Sequence, residues 1–202
     1  PNKHNKLYFV VEPLNPEIAK LIKMGEIPQM RIKKKMDLEL RNKFTDSGMD
    51  TKVADKVKDI FKGNVLIDQT RGIVHIGEIM EMVCDMFEDV MGQGPIAKEP
   101  CINVQVSLMD CKLHEDAIHR GPAQMYPAIR DGIRGEMMLA SPLLFEPVQI
   151  MQFEAPADYT GELSKLINNK RGQMLDMNQE GTQVTVKAKM PVAECMGLSN
   201  DL

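Results

Sequence analysis

Leu113-His114-Glu115-Asp116-Ala117-Ile118-His119-Arg120-Gly121-Pro122-Ala123-Gln124 gathers two of the chain's four histidines, a pair of acids, an Arg-Gly-Pro break and an amide. The flanks of this stretch decide its local fold. Upstream, Ile102, Val104, Val106 and Leu108 alternate with Asn103, Gln105 and Ser107, the period of a half-buried strand. Downstream, Met125, Ala128, Ile129, Ile133 and Met137 recur at helical spacing. The stretch is therefore predicted to join a strand to a helix, where a rigid scaffold can hold side chains out to a partner. Pro122 suits the first turn of that helix, and Gly121 is expected to permit a sharp turn after Arg120.

Taken on chemistry alone, His114, Glu115 and His119 invite comparison with the helical H-E-x-x-H zinc motif, but the spacing is one residue too long. Two histidines five apart on a helix are rotated by roughly 140°, at about 100° per residue, so they cannot face one metal. A loop could bring them together, and a third ligand would then have to come from elsewhere. Cys111 is near, yet no CxxC or second histidine cluster supports it. A metal-dependent hydrolase using these three residues stays open as an alternative. So do a generic RNA-binding or protein-interaction module and a histidine pair that only caps a loop.

The wider composition suits one or two soluble globular domains: 202 residues, 43% hydrophobic and 27% charged. Four cysteines form no tight pairs, and seventeen methionines with no tryptophan suggest an adaptable core in a cytoplasmic chain. The longest apolar run, Met137 to Phe145, is interrupted by Pro142 and falls far short of the ~20 residues that span a membrane. No membrane partner and no signal peptide are expected. A first residue other than Met suggests a fragment. The net charge of −4 does not advertise a nucleic-acid binder, so any RNA contact must come from a local basic patch.

Along the chain, Leu7 to Val11 reads as a strand, followed by a helix capped by Asn15 with Pro16 in its first turn and ended by Gly25. Pro28 is expected to open a longer helix bearing Arg31-Ile32-Lys33-Lys34-Lys35 as a solvated face. Asp50 is expected to cap a third helix with Val53, Ala54, Val57, Ile60 and Phe61 inward. Val65 to Asp68 is a short strand, Gly72 to His75 a turn, and His75 a packed or edge histidine. Ile79, Val83, Phe87 and Val90 then mark an amphipathic helix. Gly92-Gln93-Gly94-Pro95-Ile96-Ala97 imitates a dinucleotide fingerprint, but it follows a helix and contains a proline, so it reads as a loop. No G-x-x-x-x-G-K-[ST] occurs. Leu143 to Glu146 is expected to be a strand. From Val148 onward the pattern is strand, helix over 158–169, two strands around Glu180-Gly181 and a helix near Ala193. That order suits incomplete ferredoxin-like packing, with lower stability than the first domain.

Asp116-Ala117-Ile118-His119-Arg120-Gly121, with Gln124 and Pro127, resembles the diphthamide loop of archaeal and eukaryotic elongation factor 2. Pro1-Asn2-Lys3-His4-Asn5-Lys6 resembles that family's S-P-N-K-H-N-R segment, Glu146-Pro147 the end of the same domain, and Lys170-Arg171-Gly172 a basic turn in the next. Pro122-Ala123, where eukaryotic members carry glycines, points to the archaeal branch. The resemblance implies an α+β chain with a ribosomal protein S5 domain 2-like α/β domain over 1–147. A truncated ferredoxin-like βαββα domain would follow over 148–202. It implies the C-terminal part of a GTP-dependent ribosomal translocase that acts on tRNA and mRNA at the decoding site. GTP and magnesium would belong to a domain not present here, with no cofactor, no catalytic residue and no metal in this part.

The same resemblance makes His119 the site of diphthamide modification. It implies an RNA-contacting tip of Asn2, Lys3, His4, Asn5, Lys6, Lys112, His114, Asp116, Arg120, Gly121 and Gln124. Expected partners are the ribosome, diphthamide-synthesis enzymes and ADP-ribosylating toxins, with the chain a monomer. Asp116 is expected to serve structure, because an acid at an RNA-facing tip repels phosphate.

Overall fold

The structure is a computed structural model that describes residues 4–200. It divides into two units at Pro142/Leu143, slightly upstream of the expected boundary after Pro147. Both are mixed α and β, and the chain is an α+β protein with two separate sheets.

In the first unit, β1 (Lys6–Pro13), α1 (Pro16–Lys23), α2 (Leu38–Asp46) and α3 (Thr51–Ala54) precede the hairpin β2 (Val57–Phe61) and β3 (Asn64–Asp68). Then come α4 (Ile76–Gly92), β4 (Val104–Lys112) and α5 (Pro122–Leu139). The sheet order is β1-β4-β3-β2, with β3 and β4 parallel across the α4 crossover and the other pairs antiparallel. Both faces are covered, which explains why β3 reads as an unbroken apolar run. Leu66 packs with Val83, Phe87 and Ile129 of α4 and α5, whereas Val65 and Ile67 pack with Ile18, Ile22 and Phe44 of α1 and α2. α5 lies close on β1 because Gly132 has no Cβ: one built there would meet the Phe9 ring at 3.1 Å. Among the described residues, no helix is long and apolar enough to cross a membrane.

The second unit runs β5 (Val148–Pro156), α6 (Thr160–Asn169), β6 (Gln173–Glu180), β7 (Gln183–Pro191) and α7 (Val192–Cys195), with sheet order β5-β7-β6. Leu163 and Ile167 of α6 bury against Phe153, Val184, Val186 and Ala188. The strand-helix-strand-strand-helix order is the one the sequence indicates.

Three local expectations fail. Residues 28–35 are not helical: Arg31 bridges Asp59 on β2, the Ile32 N–H donates to the Lys58 carbonyl at 2.7 Å, and the helix starts only where Asp37 Oδ1 accepts from the Leu40 N–H. Pairing with a sheet edge outcompetes a helix whose consecutive lysines give it no apolar stripe. The third helix stops at Ala54, and Val57, Ile60 and Phe61 belong to β2 instead. Asp50 does cap it, accepting from the Lys52 N–H. The missed signal is the two-residue turn Lys62-Gly63, with φ of 47° and 78°, the primed geometry that closes a hairpin. Leu143 to Glu146 forms no strand.

Candidate functional site

The antiparallel register of β1 and β4 sets Lys6 directly opposite Lys112, both exposed, at one end of the first sheet. Like charges facing each other across a strand pair destabilise the sheet unless an anion lies between them. The 113–121 loop leaves β4 at this end. It folds into a short 3-10 turn, Ala117–Arg120, whose N-terminus Asp116 caps through Oδ1, accepting from the Ile118 N–H at 3.0 Å. Asp116 thus caps the turn that carries His119.

Two side chains fix the loop. Asn5 donates from Nδ2 to the His119 carbonyl at 2.7 Å and accepts at Oδ1 from the His114 N–H at 3.0 Å, so one amide ties the start of β1 to both histidine positions. Arg120 is 6% exposed, which decides its role. Its Nη1 donates to the carbonyls of His114 and Glu115, while Nε and Nη2 reach Glu78 Oε2 at 3.0 and 2.8 Å. Expected at the RNA-contacting tip, its guanidinium is turned inward, where backbone carbonyls and a carboxylate use its donors. Glu78 also meets His75 Nδ1 at 2.6 Å, and the Arg120 guanidinium, then His75, holds its carboxyl below the usual range. Sequence reasoning missed Glu78, although an acid in the first turn of α4, three after His75, was a readable signal.

Held this way, three imidazoles collect. His4 stacks on His119 with centroids 4.4 Å apart and planes at 27°, and His114 packs edge-on to both, at 4.4 Å from His119 and 5.0 Å from His4. His114 Nδ1 accepts from the Asp116 N–H at 3.0 Å. His119 Nδ1 and Gln124 Oε1 are buried and carry no hydrogen bond. The loop thus brings together the two histidines that helical spacing would have separated. Among the described residues, however, no group of three or more His, Cys, Asp or Glu side chains is arranged to hold a metal. Glu115, the third member of the hydrolase alternative, is exposed, and Arg120 grips its backbone carbonyl.

Gly121 departs from its expected role. Its φ of −70° and ψ of 160° suit any residue, and a Cβ there would meet nothing closer than the Ile118 carbonyl at 3.8 Å. Pro122 does open α5. Asn2 and Lys3 lie outside the described residues.

The sequence matches the profile of elongation factor G, domain IV, over residues 28–141 and that of the elongation factor G C-terminus over 143–202. It is 51% identical over 199 residues to elongation factor 2 of Methanocaldococcus jannaschii, covering 98% of this chain and 27% of that protein. It is 46% identical over 202 residues, all of this chain, to elongation factor 2 of Methanococcoides methylutens, and 46% over 199 residues to that of Pyrococcus furiosus. The chain spans 27% of the length of each of these relatives. With both profiles matched in order and the histidine loop built at the end of the first unit, the chain belongs to the elongation factor G and elongation factor 2 family, of which it carries the domain IV and C-terminal regions.

Proposed function

We propose that this chain is the RNA-facing end of a translocating elongation factor, and that it works by presenting His119 to ribosomal and transfer RNA at the decoding site. GTP turnover belongs to parts of the factor outside these residues. The observation that carries the reading is the division of labour in the loop. Asn5, Asp116 and Arg120 are committed to holding the backbone, whereas Lys6, Lys112 and the His4 ring are exposed around His119. A prebuilt loop with its cations outward suits contact with phosphate, and no base or nucleophile chemistry is needed.

In this reading His119 is the residue converted to diphthamide, whose fixed cation extends the reach toward phosphate without relying on the near-neutral titration of an imidazole. The modifying enzymes and ADP-ribosylating toxins would then act on the folded, exposed loop. Mass spectrometry of the 113–120 peptide from native cells tests this step directly: added mass on His119 supports it, and an unmodified peptide refutes it. In the complete factor, His119→Ala should raise frameshifting while leaving GTP turnover nearly intact. Loss of GTP turnover would contradict the contact role.

A further inference from the structure

Strand register fixes which charged side chains share one end of the first sheet, and the basic set there is wider than the histidine tip. β1 and β4 bring Lys6 and Lys112 to that end. β3 runs parallel to β4, so the residues after Asp68 emerge there as well, including the exposed Arg71. β2 runs antiparallel to β3, which puts its first residue, Val57, at the same end, opposite Ile67. Outside β2, the backbone of residues 30–32 adds to the sheet edge: the Ile60 N–H donates to the Met30 carbonyl at 3.1 Å, and the Ile32 N–H to the Lys58 carbonyl at 2.7 Å. This segment is antiparallel to β2. It therefore delivers Lys33, Lys34 and Lys35 to the end where the histidine loop lies.

The three lysines are exposed, and among the described residues none of their side chains has a hydrogen-bond or ion-pair partner. Both ends of their loop are pinned, by the Arg31 bridge on one side and by Met36, 7% exposed, and the Asp37 cap on the other. Three carboxylates around this end are engaged locally, Asp68 with Thr70, Asp55 with Arg41, and Glu78 with Arg120, while Glu115 on the histidine loop is exposed. Much of the excess acid lies farther along α4, at Glu81, Asp85 and Glu88 around Arg31. A net charge of −4 thus conceals a spatial separation of signs.

We infer that Lys33–Lys35, with Arg71, form a second phosphate-contacting patch that engages the backbone of the same RNA as the histidine tip. The inference rests on the proposed RNA-facing role of that tip. Four strand spacings of about 4.8 Å put the patches roughly 20 Å apart across the sheet, too far for one phosphate and within reach of one folded RNA. The lysine loop is also set back, because β4 continues to Lys112 past the level of Asp68, the end of β3. Lysines in this role fix orientation and add affinity without reading sequence.

The test is the binding of the 202-residue chain to an RNA hairpin of about 20 base pairs, titrated across salt concentrations. Two variants are compared: the triple Lys33→Ala/Lys34→Ala/Lys35→Ala and the double Lys6→Ala/Lys112→Ala. The triple should melt like the parent, bind about 10-fold more weakly, and flatten the slope of log K against log salt by about 3, close to 0.9 per lost contact on a duplex. An unchanged triple beside a weakened double overturns the second patch and leaves the tip reading in place. A weakened triple beside an unchanged double overturns the inference that the two patches engage one RNA, and counts against the tip reading as well. Loss in neither variant, or equal competition by poly-glutamate, overturns the inference.

Discussion

Two arginines in the first unit solve the same problem in opposite ways. Arg120 is buried and divides its donors between two backbone carbonyls and one carboxylate, Glu78. Arg31 is partly exposed and meets carboxylates alone: Glu81 at 3.1 Å, Asp85 at 2.9 Å, Glu88, and the buried Asp59 at 3.9 Å. Around Arg120 the charges nearly balance and neutral carbonyls complete the set. Around Arg31, four acids face one base. The Asn5 bonds and the Arg120 bonds to carbonyls in the histidine loop do not titrate, whereas the α4 face around Arg31 is held by charge and must respond to pH.

Asp59 makes that response specific. Burial, reinforced by the Glu88 carboxylate, pushes its carboxyl up to about 7, and its Oδ2 has no hydrogen bond. The same carboxylates, Glu88 first, hold the Arg31 guanidinium above its usual range. Between the ordinary value of 3.8 and about 7, the folded chain keeps a proton on Asp59 that the unfolded chain has released. Stability contributed by this group is therefore present at low pH and falls as pH rises through that window.

The largest loss of stability is expected for Arg31→Met at pH 8, about 3 kcal/mol, because without its cation Asp59 must either ionise unpaired or take up a proton from solution, and Glu81, Asp85 and Glu88 lose their shared partner. At pH 5, where Asp59 carries its proton, the loss should be clearly smaller. Urea unfolding at the two pH values reads this difference, and equal losses would place the charge elsewhere. Asp59→Asn should remove the pH-dependent part of stability between about 4 and 7, on the order of 4 kcal/mol. A variant that keeps the full slope would clear Asp59 of the titration. On the loop side, Asn5→Ala should cost about 1–2 kcal/mol, since the His119 carbonyl and the His114 N–H lose their shared partner. That cost should be the same at pH 5 and pH 8, and faster amide exchange at His114 would localise it. Gly121→Ala should cost less than about 1 kcal/mol, the ordinary difference between these residues at a helix start. A larger loss in thermal melting would mean that the turn needs glycine after all.

The same contrast explains what the sequence made legible. The strand before the histidine loop and the helix after it follow from alternation and 3.6-residue spacing, and Asp116, Asn15 and Pro122 announce local caps and starts. Such signals lie within a few residues of what they determine. The inward turn of Arg120 was not legible because its carboxylate partner, Glu78, is 42 residues away in sequence. An arginine before Gly-Pro otherwise reads as exposed. Residues 28–35 were misread for the same reason, since the edge of β2 that captures Arg31 and Ile32 is assembled only in the folded chain. Asn5 was legible as part of a tip motif, but its clamp on two residues more than a hundred positions away was not.

Bonds to two carbonyls and Glu78 make Arg120 the residue that builds the histidine loop, whereas His119 Nδ1 makes no hydrogen bond in it. Paired thermal melts of His119→Ala and Arg120→Ala, each in the 202-residue chain, test it most directly. His119→Ala should melt within about a degree of the parent, while Arg120→Ala, leaving two carbonyls and Glu78 without their donor, should melt several degrees lower. The reverse order, with His119→Ala unfolding early and Arg120→Ala unchanged, would contradict it.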